Sequence, residues 1–253
     1  MNRYLYALGL TFILAAPALE AAGVEAVVQW SRRVELTLRF SGVIERVAVQ
    51  PGERVARDQV LLTLEDTPFK SAVRAAEAAA MRRKLERDET ARDYKQAREL
   101  HERTVLSNVE LENAKLKYGR AEAAYQEALA DLDRANFRLR HSAIRAPYDG
   151  LVLGRAAEPG QAVNVDIKAP PLLVVAAADE YIAQARLPAD RLAALKLGQA
   201  VTVQAGGQSF QGRIQAIGHE PLPGKDNLHL LEAAFQAPGT MLHPGQPARI
   251  ELP

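Results

Sequence analysis

GVIERVAVQPGERV runs from Gly42 to Val55, and GLVLGRAAEPGQAV runs from Gly150 to Val163. Aligned without a gap, Gly42 matches Gly150, Ala48 matches Ala156, Pro51 matches Pro159, Gly52 matches Gly160 and Val55 matches Val163. Each copy reads as strand, Pro-Gly turn, strand, with Val43, Glu45, Val47 and Val49 showing the alternation of a half-buried strand. Gly42, Pro51 and Gly52 are the expected turn residues of the first copy, and Gly150, Pro159 and Gly160 those of the second. Neither copy alone can bury enough apolar surface to fold, but two copies facing each other can. Such a repeat predicts a small β-sandwich built from two halves.

What separates the copies is a different material. From Phe69 to about Arg140 there is one glycine, Gly119, and no proline. Alanine, glutamate, arginine and leucine, all strong helix formers, dominate. The second half of this block carries a seam of Leu111, Ala114, Tyr118, Ala121, Tyr125, Ala128, Leu132, Ala135 and Leu139, its steps alternating three and four as in a coiled coil. The first half is less regular. Val73, Ala76, Ala80, Tyr94, Ala97 and His101 keep the step, but Arg83 and Arg87 interrupt it.

In EDTPFK, Thr67 is the expected N-cap and Pro68 the first helical residue. In RTVLSNVEL, Thr104 and Val105 weaken a helix end. Ser107 and Glu110 then form a capping box, with Leu106 and Leu111 placed for a hydrophobic staple. Helices are therefore expected over 68 to about 103 and 108 to about 141, each about 50 Å long. Equal arms joined by a short turn form an antiparallel hairpin, inserted at the crest of the sandwich.

Composition narrows the function. The chain has 253 residues, is 48% apolar and carries a net charge of +1, so a packed core is expected and nucleic acid is not an expected partner. There is no cysteine, which excludes disulfides, thiol catalysis, thiolate metal sites and a lipoprotein anchor. Arg3, the apolar run Tyr4–Ala16 and the small residues of APALEAA predict a secretory signal peptide over 1–22, with an uncleaved membrane anchor as the alternative. Either puts the bulk of the chain outside the cytoplasm.

Two stretches carry a family resemblance: SGVIERVAVQPGERVARDQVLLTLED (Ser41–Asp66) and IRAPYDGLVLGRAAEPGQAV (Ile144–Val163), above all APYDG followed by PGQ. They resemble the biotinyl/lipoyl-like domain of the periplasmic adaptor proteins, also called membrane fusion proteins or the haemolysin-secretion-D-like family. One departure is Asp58, where the family commonly has glycine; aspartate tolerates left-handed backbone better than most residues. The C-terminal part is similar to the adaptor β-barrel. LLVVAAADEYIAQARLPADRLAALKLGQAVTVQ (Leu172–Gln204) reads strand, strand, short helix, strand, with Pro188 opening the helix and Gly198 ending it. Three further strands follow, closing on MLHPGQPARIEL (Met241–Leu252).

The expected fold is thus α+β: a helical hairpin in a split lipoyl-like sandwich, followed by a small β-barrel. The boundaries are 23–66 for the first half with an N-terminal strand, 67–141 for the hairpin, 142–165 for the second half and 166–253 for the barrel. Against the family, a membrane-proximal domain is expected to be absent or reduced.

The resemblance implies a ring, commonly hexameric, whose hairpin tips meet an outer-membrane channel and whose lower domains sit on an inner-membrane transporter. The family's tip pattern is arginine, three residues, leucine, six residues, serine. Leu100 and Ser107 fit it, but Gln96 occupies the arginine position, and Lys95, Arg98 or Arg103 would have to supply the donor. Gln96, Leu100, Arg103, Leu106 and Ser107 are therefore the expected channel contacts. Ser107 reads equally as a helix cap, and Leu100 as a seam residue. The transporter implied is a proton-driven pump of the resistance-nodulation-division class. Alternatives are an ATP-driven exporter or type I secretion system, or an exported coiled-coil binder with no transporter.

No catalysis is expected: G-x-S-x-G, Walker, G-x-G-x-x-G and H-E-x-x-H patterns are all missing. No cofactor or metal is expected either. His101, His141, His219, His229 and His243 read as scattered surface or turn histidines, Glu65 and Asp66 as helix N-terminal charges, and Arg82, Arg83 and Arg87 as a solvated helix face. True lipoyl or biotin carriers present a modified lysine at the tight turn between the halves, a place that the hairpin occupies here.

Overall fold

The computed structural model describes residues 23–166, 169–223 and 227–252, so the expected signal peptide lies outside the described residues. The chain forms two compact units, one of residues 32–178 and one of 23–31 with 179–252.

β1 (Gly23–Trp30) belongs to the second unit. The first unit contains β2 (Arg33–Leu36), β3 (Gly42–Val47), β4 (Arg54–Val55) and β5 (Val60–Leu64). Helices α1 (Thr67–Glu102) and α2 (Asn108–Arg140) follow, then β6 (Ala143–Arg145), β7 (Gly150–Arg155), β8 (Ala162–Val163) and β9 (Leu173–Ala177). Two four-stranded sheets form, in the orders β2-β9-β7-β4 and β6-β5-β3-β8. The halves interlock. The first strand of each phrase pairs with the second strand of the other: Gly42 faces Val163 across β3 and β8, and Val55 faces Gly150 across β4 and β7.

The hydrogen bonds repeat with the sequence. Gly52 N–H donates to Val152 O at 2.8 Å and Gly160 N–H to Ile44 O at 2.7 Å; Ile44 N–H donates to Gln161 O and Val152 N–H to Glu53 O, both at 2.9 Å. Ile44, Leu61, Leu62, Leu64, Val152, Leu172, Leu173 and Val175 fill the space between the sheets. The repeat is longer than the quoted phrase, because β6 and β9 occupy in one half the places of β2 and β5 in the other.

Among the described residues one turn chemistry recurs five times. In Gln50–Glu53, Ala56–Gln59, Glu158–Gln161, Lys196–Gln199 and His243–Gln246, the fourth N–H donates to the first C=O at 3.0–3.2 Å. The fourth side chain in turn accepts the first N–H at 2.9–3.1 Å. The third residue has positive φ: Gly52 89°, Asp58 63°, Gly160 82°, Gly198 79° and Gly245 91°. Glycine removes the Cβ penalty there. Asp58 takes the same conformation, as its place in the repeat requires. Pro51 and Pro159 hold the second position of their turns and are exposed. Proline fits that position because its ring fixes φ near the value the turn needs and its missing N–H is not called on.

The second unit is a closed barrel in the order β1-β10-β13-β12-β11-β14. Its strands are β1, β10 (Glu180–Pro188), β11 (Ala200–Ala205), β12 (Gln208–Ile217), β13 (Leu228–Gln236) and β14 (Pro247–Glu251), with the short α3 (Ala189–Leu192) after β10. Val24, Ala26 and Val28 of β1 point inward, joining Ala183, Ala185, Val203, Leu231, Ala233 and Ile250. Alanines suit the narrow interior of so small a barrel. Tyr181 is buried between Trp30 and Phe235, at ring-centroid distances of 5.4 and 5.9 Å.

Four expectations change here. β1, expected in the first sandwich half, pairs with β10 and β14 and closes the barrel. β9, expected in the barrel, pairs with β2 and β7 in the sandwich. The helix opened by Pro188 ends at Leu192, well short of Gly198. Gly42 and Gly150 are not turn residues like Pro51, Gly52, Pro159 and Gly160. They open strands β3 and β7, where their backbones pair with the other half.

Candidate functional site

The hairpin stands on the sandwich through both helix ends. The helix begins at Thr67, so Asp66 is the N-cap position, although it has helical dihedrals (φ −89°, ψ −13°) and makes no side-chain cap. That corrects the expected Thr67 cap. The Asp66 carboxylate instead pairs with Lys70 Nζ at 2.6 Å, and Phe69 packs on the sandwich core. At the other foot, Phe40 meets Phe137 edge-on at 6.1 Å, with Phe137 4.0 Å from the His141 ring. Buried Ser142 donates its hydroxyl to Leu139 O at 2.8 Å, while its carbonyl accepts Leu64 N–H at 2.9 Å.

Between the feet, α1 and α2 pack along the expected seam. Ala121, Ala128 and Ala135 are buried, and Leu111, Tyr118, Tyr125, Leu132 and Leu139 are half-buried beside them. On α1, Val73 and Ala80 are buried, with Ala76, Tyr94, Ala97 and His101 half-buried. Tyr94 stacks on Tyr118 at 6.0 Å and 10°. Arg82 and Arg83 keep solvated groups, Arg83 pairing with exposed Glu86, whereas Arg87 is turned into the seam. Arg83 and Arg87 take the seam positions that the three-four step assigns after Ala80, and both are half-buried. The Arg87 guanidinium lies 4.9 Å from the Tyr125 ring centroid. Aliphatic stem and planar head let arginine occupy an apolar seam.

The tip is a tight connection between two capped helix ends. Thr104 N–H donates to His101 O at 2.8 Å and Val105 N–H to Leu100 O at 3.0 Å, the bonding of a Schellman end. Its left-handed position is held by Thr104, at φ 59°. A β-branched residue is strained there. Ser107 then caps α2. Its hydroxyl donates to Glu110 Oε2 at 2.7 Å and accepts Glu110 N–H at 3.3 Å, and its own N–H donates to the same carboxylate at 3.0 Å. These bonds, the hydroxyl first and the backbone N–H second, hold the Glu110 carboxyl below its ordinary value. A 2.6 Å bond between His101 Nε2 and Asn108 Oδ1 joins the helices.

Of the residues expected to touch a channel, Gln96, Arg103 and Ser107 are exposed, and Leu100 and Leu106 are half-buried. Ser107 spends its hydroxyl proton within the capping box. The most outward apolar groups are ones the sequence reading passed over, Val105 and Val109, 70% and 69% exposed. The only signal for them was their position on either side of the Ser107 cap. Among the described residues, no cluster of three or more histidine and carboxylate side chains is arranged to hold a metal ion.

A split sandwich carrying a helical hairpin, with a closed barrel in the same chain, is the architecture of the membrane fusion proteins, the periplasmic adaptors that the repeated phrase resembles. The family model "CzcB-like, barrel-sandwich hybrid domain" matches residues 32–170, more than half of the chain, and the protein belongs to that family. The nodulation protein NolF of Rhizobium meliloti (strain 1021) is 29% identical over 198 residues, covering 74% of this chain and 51% of NolF. The macrolide export protein MacA of Escherichia coli O157:H7 is 24% identical over 213 residues, covering 78% of this chain and 57% of MacA. The chain thus spans about half the length of the curated relatives it matches. In fold it is similar to the membrane fusion protein Spr0693 of Streptococcus pneumoniae R6, with TM-score 0.69, 16% identity, and 90% of this chain and 97% of that one covered. A MacA–MexA chimera with the Pseudomonas aeruginosa MexA α-hairpin gives TM-score 0.66 at 18% identity, covering 90% and 76%.

Proposed function

We propose that the protein is a periplasmic adaptor of a tripartite export assembly. It bridges an inner-membrane transporter and an outer-membrane channel, works as a ring of copies, commonly six in the family, and contributes binding rather than catalysis. The observation that carries this reading is the hairpin itself. Two helices of 36 and 33 residues, each about 50 Å long, project from a sandwich braced at both feet and end in a capped tip with Val105 and Val109 exposed. A rod of that length serves to span distance, and a rigid apolar tip serves to dock. Likeness to a macrolide export protein supports export as the process.

The transporter proposed is of the resistance-nodulation-division class. Channel contact is assigned to the tip, with Leu100, Arg103 and Leu106 beside the two valines and Gln96 and Ser107 at the margin.

Affinity purification of the tagged full chain from detergent-solubilised cell envelopes tests this. Transporter and channel should co-elute, and the co-eluting transporter reveals whether it is proton-driven or ATP-driven. The double variant Val105→Asp/Val109→Asp should keep the transporter and lose the channel. A folded chain that retains neither partner would contradict the proposal.

A further inference from the structure

We infer that the hairpin carries a built-in hinge at its middle rather than at its foot. The seam of α1 is apolar on both sides of one layer and polar within it. Arg83, Arg87 and Thr90 are three consecutive seam positions between Ala80 and Tyr94. The Arg87 stem and guanidinium, packed on the Tyr125 ring, stand where a leucine would sit in a continuous seam.

Arg83 pairs with Glu86 at 2.8 Å, but Arg87 is incompletely satisfied. Arg87 Nε lies 2.9 Å from Asp88 Oδ1, but its N–H does not point at that oxygen and, though buried, has no acceptor. Across the seam, Nη1 reaches Glu122 only at 3.6 Å. Leaving a buried donor unmade lowers the cost of opening the layer, because water supplies the missing bond. The Thr90 hydroxyl donates back to Glu86 O and Arg87 O, both at 3.0 Å. Such bonds compete with the helix ladder and bend helices.

On α2, Gly119, beside Tyr118, is the one glycine of the hairpin; it is exposed, and its high backbone freedom lowers the helix propensity of this stretch. A groove of about 310 Å³ lies on the tip side of this layer, lined by Thr90 and Asp93 of α1 and by Glu110, Asn113, Ala114 and Lys117 of α2. The foot is built differently. Phe69 packs on the sandwich core at the start of α1, Phe40 meets Phe137 near the end of α2, and the Ser142 carbonyl accepts Leu64 N–H. The tip is closed by the Schellman end, the capping box and the His101–Asn108 bond. Local opening follows contact density and satisfied hydrogen bonds, so it concentrates between these anchored ends. Tip and foot halves then tilt about the arginine layer.

Hydrogen exchange on the full chain reads this directly. Peptides covering 83–94 and 117–129 should exchange about tenfold faster than those covering 70–80 and 130–139, and faster than those nearer the tip. Arg83→Leu/Arg87→Leu should restore protection in the middle about tenfold, and Gly119→Ala should do so in part. The chain has no cysteine, so spin labels at exposed positions 78 and 99 can report a broad distance distribution that narrows in the double leucine variant. Protection that falls smoothly from foot to tip with no central minimum would overturn the inference. So would a central minimum that the leucine variant leaves unchanged. Neither result depends on whether the tip docks on a channel.

Discussion

Gly150→Ala and Gly42→Ala are chemically identical changes at equivalent positions of the repeat, yet they should differ sharply. A Cβ on Gly150 would lie 2.5 Å from Ala176 O and 2.9 Å from Val175 Cγ1. The first distance is 0.9 Å inside the 3.4 Å at which such a contact becomes ordinary, and the obstacle is the backbone of β9. Strands β7 and β9 must separate or twist to admit it. Overpacking of this kind costs about 1–3 kcal/mol, offset by about 0.5 kcal/mol from the stiffer unfolded chain. A net loss of about 2 kcal/mol is expected, which lowers the urea midpoint by about 1 M at an m-value of about 2 kcal/mol/M.

A Cβ on Gly42 meets only the buried Leu64 side chain, with Cδ1 at 3.0 Å, so a shift of a few tenths of an ångström in one side chain, and none in a backbone, admits it. That change should cost about 1 kcal/mol or less. Far-ultraviolet ellipticity follows the unit that holds both long helices. Trp30, the chain's one tryptophan, stacks on Tyr181 in the barrel, so its fluorescence follows the other unit separately. Equal midpoints for the two variants would refute the argument that close approach of β9, and not mere repetition, fixes the second glycine.

Thr104→Gly should relieve the left-handed strain at the end of α1 and raise stability by about 1 kcal/mol, measured by thermal melting. Ser107→Ala should remove the cap of α2 and cost about 1 kcal/mol. Glu110 adds a pH dependence: its folded value is depressed, so the stabilisation is present above the ordinary value of 4.5 and is lost as pH falls through the lower folded value. Helix content on acidification should therefore fall more in the native chain than in Ser107→Ala, as followed by ellipticity. Tyr118→Asp removes the stack on Tyr94 and places a charge in the seam; it should cost at least about 2 kcal/mol and loosen the hairpin, read as lost helicity.

Much of this fold was legible because its signals are local. The Pro-Gly phrases at Pro51–Gly52 and Pro159–Gly160 announce turns whose backbone chemistry is fixed by four residues, and the third residue's positive φ explains both the glycines and the tolerance of Asp58. The helices were legible from a long run without proline, and Ser107–Glu110 from a capping box that lies within one turn. What escaped was decided by distant partners. β1 alternates as any half-buried strand does, and nothing in GVEAVVQW states that its partners are Ala183 and Ala185 or Ile250, more than 150 residues away. Gly42 and Gly150 looked like turn residues because they flank the phrases, whereas their places are set by strands from the other half of the sandwich. β9 is an apolar run equally suited to sandwich or barrel. Arg83 and Arg87 obey the seam's spacing but not its polarity, and residue type outweighed spacing in the reading. At the tip, the family's serine and leucine pattern drew attention to Ser107, whereas the structure turns that hydroxyl inward to Glu110 and leaves Val105 and Val109 outermost.

The central claim is that the hairpin tip meets an outer-membrane channel. Site-specific photo-crosslinking in cells, with the probe at Leu106, tests it most directly, because Leu106 lies between the two exposed valines and outside the hydrogen bonds of both caps. The account predicts a crosslink to an outer-membrane channel protein from Leu106 and none from a probe at exposed Ala75 near the foot. A folded, exported chain that gives no crosslink from the tip, or the same crosslinks from tip and foot, would contradict it.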